Sequence, residues 1–349
     1  MTKSATHGAA VHVRDRWVAL LSLLSVLGVA IVETAAGVHQ VASTPRPADL
    51  KALSLVVRGE LAAGDLIATA PAWIDPVVRS ELGDKMPIAM LGRPDARRYP
   101  RIFEISLGGA RSEDTQGLSA DWDKAFGAYS LRLYRQRAET VTYDIVARYA
   151  DAKILQFMHD PKRPLTTQSA AALPDGMPAT PCFFQGPSPA TCPPPRGPAG
   201  AFVCPQGRIE RRTLEIAYRP RLGLSVSAGA GHVTELIWDA IPDDAWQGAT
   251  LHVWLGLHDY HARKNALGPA QVVIDLEDGR AQQVISVEPR ASEQTLSHVT
   301  MPLPAREVSA QPAGTLPFDP ASAGHRLRIR IFAENAAHHH VGLIAELRR

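Results

Sequence analysis

The sequence predicts an α+β protein of several parts: an N-terminal single transmembrane helix, a small α/β domain and a C-terminal antiparallel β-sandwich that is jelly-roll-like. Three observations predict it. An uncharged apolar stretch lies near the N-terminus, helix and strand patterns alternate after it, and apolar residues then recur at every second position. The length of 349 residues also favours more than one compact unit.

The apolar stretch near the N-terminus, Trp17–Val32, holds 16 residues without a charge and, past one glutamate and one threonine, continues in small apolar residues to position 38. About 20 apolar residues cross a bilayer core. Basic residues outnumber acidic ones before the stretch, which predicts a cytoplasmic N-terminus. We therefore expect a cytoplasmic tail at 1–16 and a transmembrane anchor at 17–38 in a bacterial inner membrane, with the bulk of the chain periplasmic or otherwise extracytoplasmic. A signal peptide cleaved near 34–36 and a buried helix are the alternatives.

Composition and motifs exclude several classes of function. Lys+Arg 37 against Asp+Glu 35 gives a net charge of +2, which is too balanced for a basic nucleic-acid groove. The nucleotide motifs G-x-G-x-x-G and G-x-x-x-x-G-K-[ST] are absent from the sequence, as is the hydrolase motif G-x-S-x-G. We therefore expect no nucleic-acid partner, no cofactor and no catalytic residue that a motif would identify.

Helix and strand patterns alternate over 45–158, which predicts a small α/β domain. Asp75-Pro76 is typical of a helix start, because proline is favoured in the first turn. The predicted elements are a helix from Pro47 that ends before Gly64, a strand at 66–70, a helix at 75–83, strands at 101–107 and 126–134, and a stretch at 139–157 that is compatible with either type.

A proline-rich connector is predicted at 159–207, where proline prevents regular structure. All three cysteines lie in it, at 182, 192 and 204. Their spacings do not match the short pairs of zinc sites, so we expect one disulfide and one remaining thiol. We prefer the pair Cys182–Cys204, and the two pairings that involve Cys192 stay open.

The segment 208–349 alternates with period two in many short runs, which predicts an antiparallel β-sandwich. Asp278-Gly279 lies between two such runs and is a strong hairpin signal. Arg326, Arg328 and Arg330 should share one face of a strand, and we expect that face to be solvated. An anionic ligand or a lipid headgroup on the same face is the alternative.

The best candidate ligand site is the turn that follows the strand at 66–70. Trp73 can stack on a sugar, Asp75 can accept hydrogen bonds from hydroxyl groups, and Arg79 can meet a phosphate or a carboxylate. Helix starts next to buried strands are also common ligand positions. The structural alternative is that Asp75 caps the helix and Trp73 packs against its neighbours.

Histidine clusters provide two further candidates. His258, Asp259, Tyr260 and His261 follow a predicted strand and could contact a ligand, although loops of a sandwich are commonly polar. The three consecutive histidines 338–340 would alternate between the two faces of a strand and cannot all bind one ion. No metal site is therefore expected.

The stretch 64–76, GDLIATAPAWIDP, with 101–106, RIFEIS, resembles uncharacterised membrane-anchored bacterial envelope proteins. More loosely, it is similar to the periplasmic soluble domain of protein-mannosyltransferase-type membrane glycosyltransferases. That resemblance implies a small α/β unit outside the membrane. The chain lacks the many membrane helices and the acidic first-loop residues of such transferases, so the resemblance implies an accessory or recognition part.

We therefore expect a non-catalytic envelope component that binds a glycan or a lipid-linked sugar, or that assists a membrane glycosyltransferase. Trp238, Trp246, Trp254 and Tyr260 would supply an aromatic surface for sugar in the C-terminal half. One alternative is a structural subunit of a membrane protein complex. Another is an envelope enzyme acting on a carbohydrate or lipid-linked substrate, with its active site at the Trp73 turn or at the loop that begins with His258.

Overall fold

The chain is described by a computed structural model that covers residues 22–36, 44–158, 179–185, 200–216, 219–228, 231–258, 269–276, 280–287, 296–303, 324–333 and 339–349. These residues form eighteen strands in three sheets and few helices. The protein is therefore mainly β, and the predicted α+β class is wrong. Strands occupy 120–126, 141–144 and 153–158, where the sequence pattern was overlooked or ambiguous, and short strands also occur in the proline-rich connector.

The predicted transmembrane anchor at 17–38 is not supported. The described residues 22–36 are helical and are called α1. Among the described residues, no helix is both long and apolar enough to cross a membrane. The predicted localisation as a single-pass inner-membrane protein is therefore wrong on this finding.

The chain divides into two compact units. The first contains 1–86 and 101–136, and the second contains 87–100 and 137–349. The stretch 139–157, which the sequence assigned to the α/β domain, contributes its strands to the sheets of the second unit.

The first unit is a four-stranded mixed sheet with helices packed on it. The strands run in the order β1-β2-β4-β3, and only β1 and β2 are parallel. Helix α2 buries Leu50, Leu53 and Val57, whose spacing places them on one side of the helix. The elements are α2 (Pro47–Glu60), β1 (Leu66–Ala70), α3 (Asp75–Leu82), β2 (Arg101–Leu107), β3 (Ala120–Phe126) and β4 (Tyr129–Arg135), with short 3-10 turns at Ala72–Ile74, Gly83–Lys85 and Glu113–Thr115.

A buried carboxylate lies in the middle of the first unit's sheet. Glu104 is fully buried, accepts hydrogen bonds from the backbone N–H of Ser112 at 2.8 Å and from the Thr115 hydroxyl, and pairs with Arg132 at 3.0 Å. A buried charge is tolerated when it is paired and hydrogen-bonded in this way. Glu104 therefore ties the loop that carries Ser112 and Thr115 to the sheet.

The second unit has two antiparallel sheets with a shared apolar core. The larger follows the order β16-β13-β18-β11-β10-β9-β8, with β5 also on β18, and the smaller follows β15-β14-β17-β12-β6-β7. Alternate residues of both sheets form one buried cluster, as in a sandwich. The elements are α4 (Ile88–Leu91), β5 (Val141–Asp144), β6 (Lys153–Met158), β7 (Thr180–Pro181), β8 (Phe183–Gln185), β9 (Ala201–Cys204), β10 (Gly207–Ile216), β11 (Arg219–Ala228), β12 (His232–Ile241), α5 (Asp243–Trp246), β13 (Thr250–Leu257), β14 (Ala270–Leu276), β15 (Ala281–Val287), β16 (Ser297–Pro302), β17 (His325–Ala333) and β18 (His339–Arg348).

Two local predictions for this unit are confirmed. Cys182 and Cys204 form a disulfide, with Cα atoms 4.5 Å apart. Strands β14 and β15 pair with Leu276 opposite Ala281, as a hairpin at Asp278-Gly279 requires, although the turn itself and Cys192 lie outside the described residues.

The arginine stripe of β17 shares one face, as predicted, but most of that face is not solvated. Strand β17 lies between β12 and β14, and the register brings acidic side chains beside the arginines. Arg330 is buried against Glu235 at 2.7 Å, and Arg328 lies 3.3 Å from Glu235 and 3.5 Å from Asp275. Only Arg326 keeps substantial exposure.

Candidate functional site

The turn after β1 presents an exposed indole. Ala70–Pro71 is a cis peptide bond, and a single 3-10 turn leads into α3. Ile74, Val78 and Leu82 are buried at helical spacing, which fixes the inner side of this segment. Trp73 therefore lies on the outer side, with 69% of its surface exposed, and Val77 lies one turn further on that side.

Asp75 and Arg79 pair with each other. Asp75 is 4% exposed, and its Oδ2 accepts from Arg79 Nη2 at 2.8 Å and from Nε at 3.3 Å. Arg79 Nη1 also donates to the carbonyl of Met86 at 2.9 Å. The residue before the helix is Ile74, which makes no side-chain cap. Asp75 therefore forms an ion pair one turn along the helix instead of capping it.

Of the three predicted ligand residues in this turn, only Trp73 presents most of its side chain to solvent. Asp75 Oδ1 is buried and has no hydrogen-bond partner, and the Arg79 guanidinium is directed to Asp75 and Met86. Any ligand at this turn would thus contact the indole first, and the ion pair holds the helix that carries it.

The histidine candidates are described only in part. His258 donates its backbone N–H to the carbonyl of His340 at 3.1 Å, whereas Asp259, Tyr260 and His261 lie outside the described residues. His338 lies outside them too, and His340 on β18 approaches the Ser225 hydroxyl with Nδ1 at 3.3 Å. In the part of the chain that the structure describes, no group of three or more His, Cys, Asp or Glu side chains could hold a metal ion.

The tryptophans of the second unit do not form an open aromatic surface. Trp238, Trp246 and Trp254 are all buried. Trp238 donates its indole N–H to the carbonyl of Arg148 at 3.2 Å, and the Trp246 ring stacks on His325 with centroids 4.5 Å apart. A sugar cannot stack on these rings as the sequence suggested, because other side chains already cover them.

A cluster of rings and charges lies on the outer face of the larger sheet, and sequence reasoning missed it. The β13–β18 cluster consists of His252, Trp254, His298, Glu346 and Arg348. The Trp254 and His298 rings are stacked at 4.6 Å with planes 5° apart, and Arg348 lies 4.7 Å from the indole centroid. The two imidazoles approach with His252 Nδ1 3.2 Å from His298 Nε2, so one can donate a hydrogen bond to the other.

Arg348 is the charged residue to which the carboxylates around the β13–β18 cluster pair. It is 1% exposed and pairs with Glu346 at 2.8 Å, with Asp95 at 3.0 Å and with Glu139 at 3.0 Å. Arg98 also pairs with Glu346, at 3.3 Å. A single buried guanidinium thus joins two strands and the segments that carry Asp95 and Glu139, all within the second unit.

The pKa values in this cluster are displaced by burial. Burial, then the positive charge of Arg348, lowers the pKa of His252. Burial of the stacked ring, then His252, lowers the pKa of His298 to about 4. Burial raises the pKa of Glu346, although Arg348 opposes that shift. Both imidazoles are therefore neutral near pH 7, and the cluster keeps one buried cation among carboxylates.

The signal for this cluster was present but incomplete in the sequence. His252 and Trp254 occupy the outward positions of an alternating strand, as do Glu346 and Arg348. The pairing of β13 with β18 sets His252 opposite Glu346 and Thr250 opposite Arg348, and no local pattern encodes that pairing. Perturbed pKa values also occur in structural ion-pair networks, and the pairing of Arg348 with three carboxylates favours that role here.

Comparisons with known proteins returned no relative. No protein-family model matches the chain, and no curated protein and no solved structure matches it. The resemblance of 64–76 and 101–106 to envelope glycosyltransferase domains therefore stays a prediction.

Proposed function

We propose that the chain is a non-catalytic carbohydrate-binding protein that contacts its ligand through the Trp73 turn. The observation that carries the proposal is the exposure of the Trp73 indole, at 69%, while the three tryptophans of the sandwich are buried. A ligand that covers a ring of this size removes a large apolar area from water, which favours binding. The apolar face of a pyranose suits an indole, and tryptophan is a frequent centre of binding energy.

The surroundings of the indole support a preorganised contact. Ile74 and Val78 anchor the turn in the core of the first unit, and the ion pair of Asp75 with Arg79 joins successive turns of α3. A rigid ring loses little conformational entropy when a ligand binds. The site thus offers one flat apolar surface that is suited to binding and carries no arrangement of acid and base for hydrolysis.

The test is affinity electrophoresis of the full chain in native gels that contain a soluble mannan, glucan or galactan. We expect retardation in at least one gel, and a loss of affinity of about tenfold or more in Trp73→Ala, which is the usual cost of removing a central tryptophan. Trp73→Phe should keep part of the affinity. Leu55→Ala is the matched control, because Leu55 is an equally exposed apolar residue of the same unit.

The proposal fails if no polysaccharide retards the wild-type chain. It also fails if Trp73→Ala and Leu55→Ala behave alike while both stay folded.

A protein partner, such as the glycosyltransferase that the sequence suggested, is the second candidate. Ala72, Trp73, Pro76 and Val77 are all exposed and form a short apolar stripe on the outer side of the turn. Such a stripe also suits a protein contact. A photo-reactive residue in place of Val77 would then cross-link to a protein of defined mass in the cell, and Trp73→Ala would abolish the cross-link.

A further inference from the structure

The second unit has a cleft beside β5 and α5 that none of the candidate sites above uses. Its volume is about 460 Å³, within the range of roughly 300–1,000 Å³ that is typical of small-molecule sites. Tyr143, Asp144 and Arg148 line one part of it, and Pro242 and Asp244 line another. The cleft is therefore large enough for one or two sugar rings and combines ionic, aromatic and apolar surface.

The tyrosine in this cleft has a buried ring and a hydroxyl that makes no hydrogen bond to the described residues. Tyr143 is 7% exposed and belongs to the apolar core, and the Arg148 guanidinium lies over its ring at 5.2 Å. Burial raises the pKa of Tyr143, so its hydroxyl stays protonated at neutral pH. No hydrogen bond to that hydroxyl occurs within the described part of the chain. The oxygen is not enclosed with the ring but reaches solvent, so a ligand in the cleft can hydrogen-bond to it.

The two carboxylates of the cleft keep acceptor oxygens free. Asp144 uses Oδ1 to accept the backbone N–H of Ala147 at 2.8 Å. Its other oxygen and the carboxylate of Asp244 have no ion-pair partner among the described residues. Arg148 is already balanced by Asp151 at 3.6 Å. The cleft therefore has two carboxylates without an ion-pair partner among the described residues, while the nearby Arg349 guanidinium donates to the backbone carbonyl of Asp244.

We propose that this cleft is a second ligand site, which binds a small hydroxylated molecule that carries an ammonium group, as an amino sugar with a free amine does. The ammonium is attracted by Asp144 and Asp244, because charge-assisted hydrogen bonds to carboxylates are stronger than neutral ones. The hydroxyl of Tyr143 bonds a ligand hydroxyl, and Pro242 offers apolar surface to the ring. The site is independent of the Trp73 turn and of the function proposed for it.

The test is a ligand-observed NMR titration of the full chain with glucosamine, N-acetylglucosamine and glucose, below the pKa of the glucosamine amine. These three differ only at one ring position, so they isolate the ammonium. We expect glucosamine to bind on the order of tenfold more tightly than the other two, which is what a charge-assisted hydrogen bond contributes. Asp144→Asn and Asp244→Asn should each weaken glucosamine by a similar factor.

Matched variants separate this site from the rest of the molecule. Asn at 144 still accepts the N–H of Ala147, and Tyr143→Phe keeps the ring beneath Arg148 while it removes the hydroxyl, so we expect both to fold and the latter to bind about threefold less tightly. Asp84→Asn changes an exposed acid of the first unit and should leave glucosamine binding unchanged.

Three results overturn the proposal: no binding of glucosamine, equal binding of the three sugars, or full affinity in the folded Asp144→Asn and Asp244→Asn variants. Loss of glucosamine binding in Trp73→Ala overturns it as well, because the ligand would then bind at the Trp73 turn. If Trp73→Ala loses polysaccharide binding but keeps glucosamine binding, the result bears only on the function proposed for the Trp73 turn.

Discussion

Replacement of Arg348 by methionine should destabilise the second unit strongly. Methionine preserves much of the side-chain length and apolar contact with Trp254 but removes the cation that lies 2.8 Å from Glu346. Glu346 has a side chain that is 3% exposed, and its remaining ion-pair partner among the described residues would be Arg98, which is itself 38% exposed. The variant therefore leaves a buried carboxylate with a weak partner.

The expected loss is about 3–5 kcal/mol, which is the usual cost of breaking a buried ion pair by removing one member. Almost all of it comes from Glu346. Asp95 and Glu139 retain 20% and 30% exposure, so water can solvate them again and they add little.

The pH dependence of this loss has a defined sign. The pKa of Glu346 is already raised by burial, and removal of Arg348 raises it further. An acid whose pKa is raised on folding stabilises the folded state in its protonated form, below the unfolded pKa, and that stability is lost as the pH rises through the folded pKa. The destabilisation by Arg348→Met should therefore be smaller in mild acid than at neutral pH.

The assay is urea unfolding followed by tryptophan fluorescence and far-UV circular dichroism, with the second unit's transition analysed separately. Glu346→Gln in the Arg348→Met background should recover about 1–3 kcal/mol, because it removes the unpaired charge. Arg97→Met is the control, since that arginine is 55% exposed and its ion pair spans 3.8 Å. A change below about 1 kcal/mol in Arg348→Met, or no recovery in the double variant, would refute the reasoning.

Two further predictions concern titration and packing. The pKa of His298 is lowered from 6.5 to about 4, so the unfolded chain binds this proton more tightly than the folded chain. Stability that is present above pH 6.5 is therefore lost as the pH falls toward 4. In thermal unfolding measured over a series of pH values, His298→Phe should reduce this loss, and an unchanged pH dependence would contradict the assignment. Gly324→Ala should cost about 1–3 kcal/mol in urea unfolding, because its Cβ would lie 2.5 Å from the backbone Cα of Ala240. Gly59→Ala, at an exposed position of α2, should stabilise the protein by up to about 1 kcal/mol. Equal signs for the two substitutions would contradict the packing argument.

The sequence anticipated local features of the chain well. The burial pattern of β1, the start of α3 at Asp75-Pro76 and the disulfide between Cys182 and Cys204 all occur as expected. Each depends on residues that are close in sequence or, for the disulfide, on a choice among few cysteine pairings. The transmembrane prediction is not supported, since no helix among the described residues is long and apolar enough to cross a membrane.

The parts of the candidate sites that depend on neighbouring residues could be predicted from the sequence, and the parts that join distant segments could not. Trp73 lies opposite the buried positions 74, 78 and 82, and that helical period can be read from the sequence alone. The partnership of Asp75 with Arg79 is also local, at four residues, although a cap was expected in its place. The cleft at Tyr143 and Asp244 joins segments about a hundred residues apart, and no local signal relates them.

By itself, the sequence determined the apolar face of the strands that alternate clearly, such as β13, β14 and β17, because alternation along a strand records burial directly. Only the tertiary structure decided which side chains the polar faces of the strands contact. Arg328 and Arg330 look like a solvated stripe until β12 and β14 place acids beside them, and Trp254 looks available to a ligand until β16 and β18 bring His298 and Arg348 onto its ring. The physical reason is that the register between strands distant in sequence depends on the free energy of the whole sheet, which no single segment encodes.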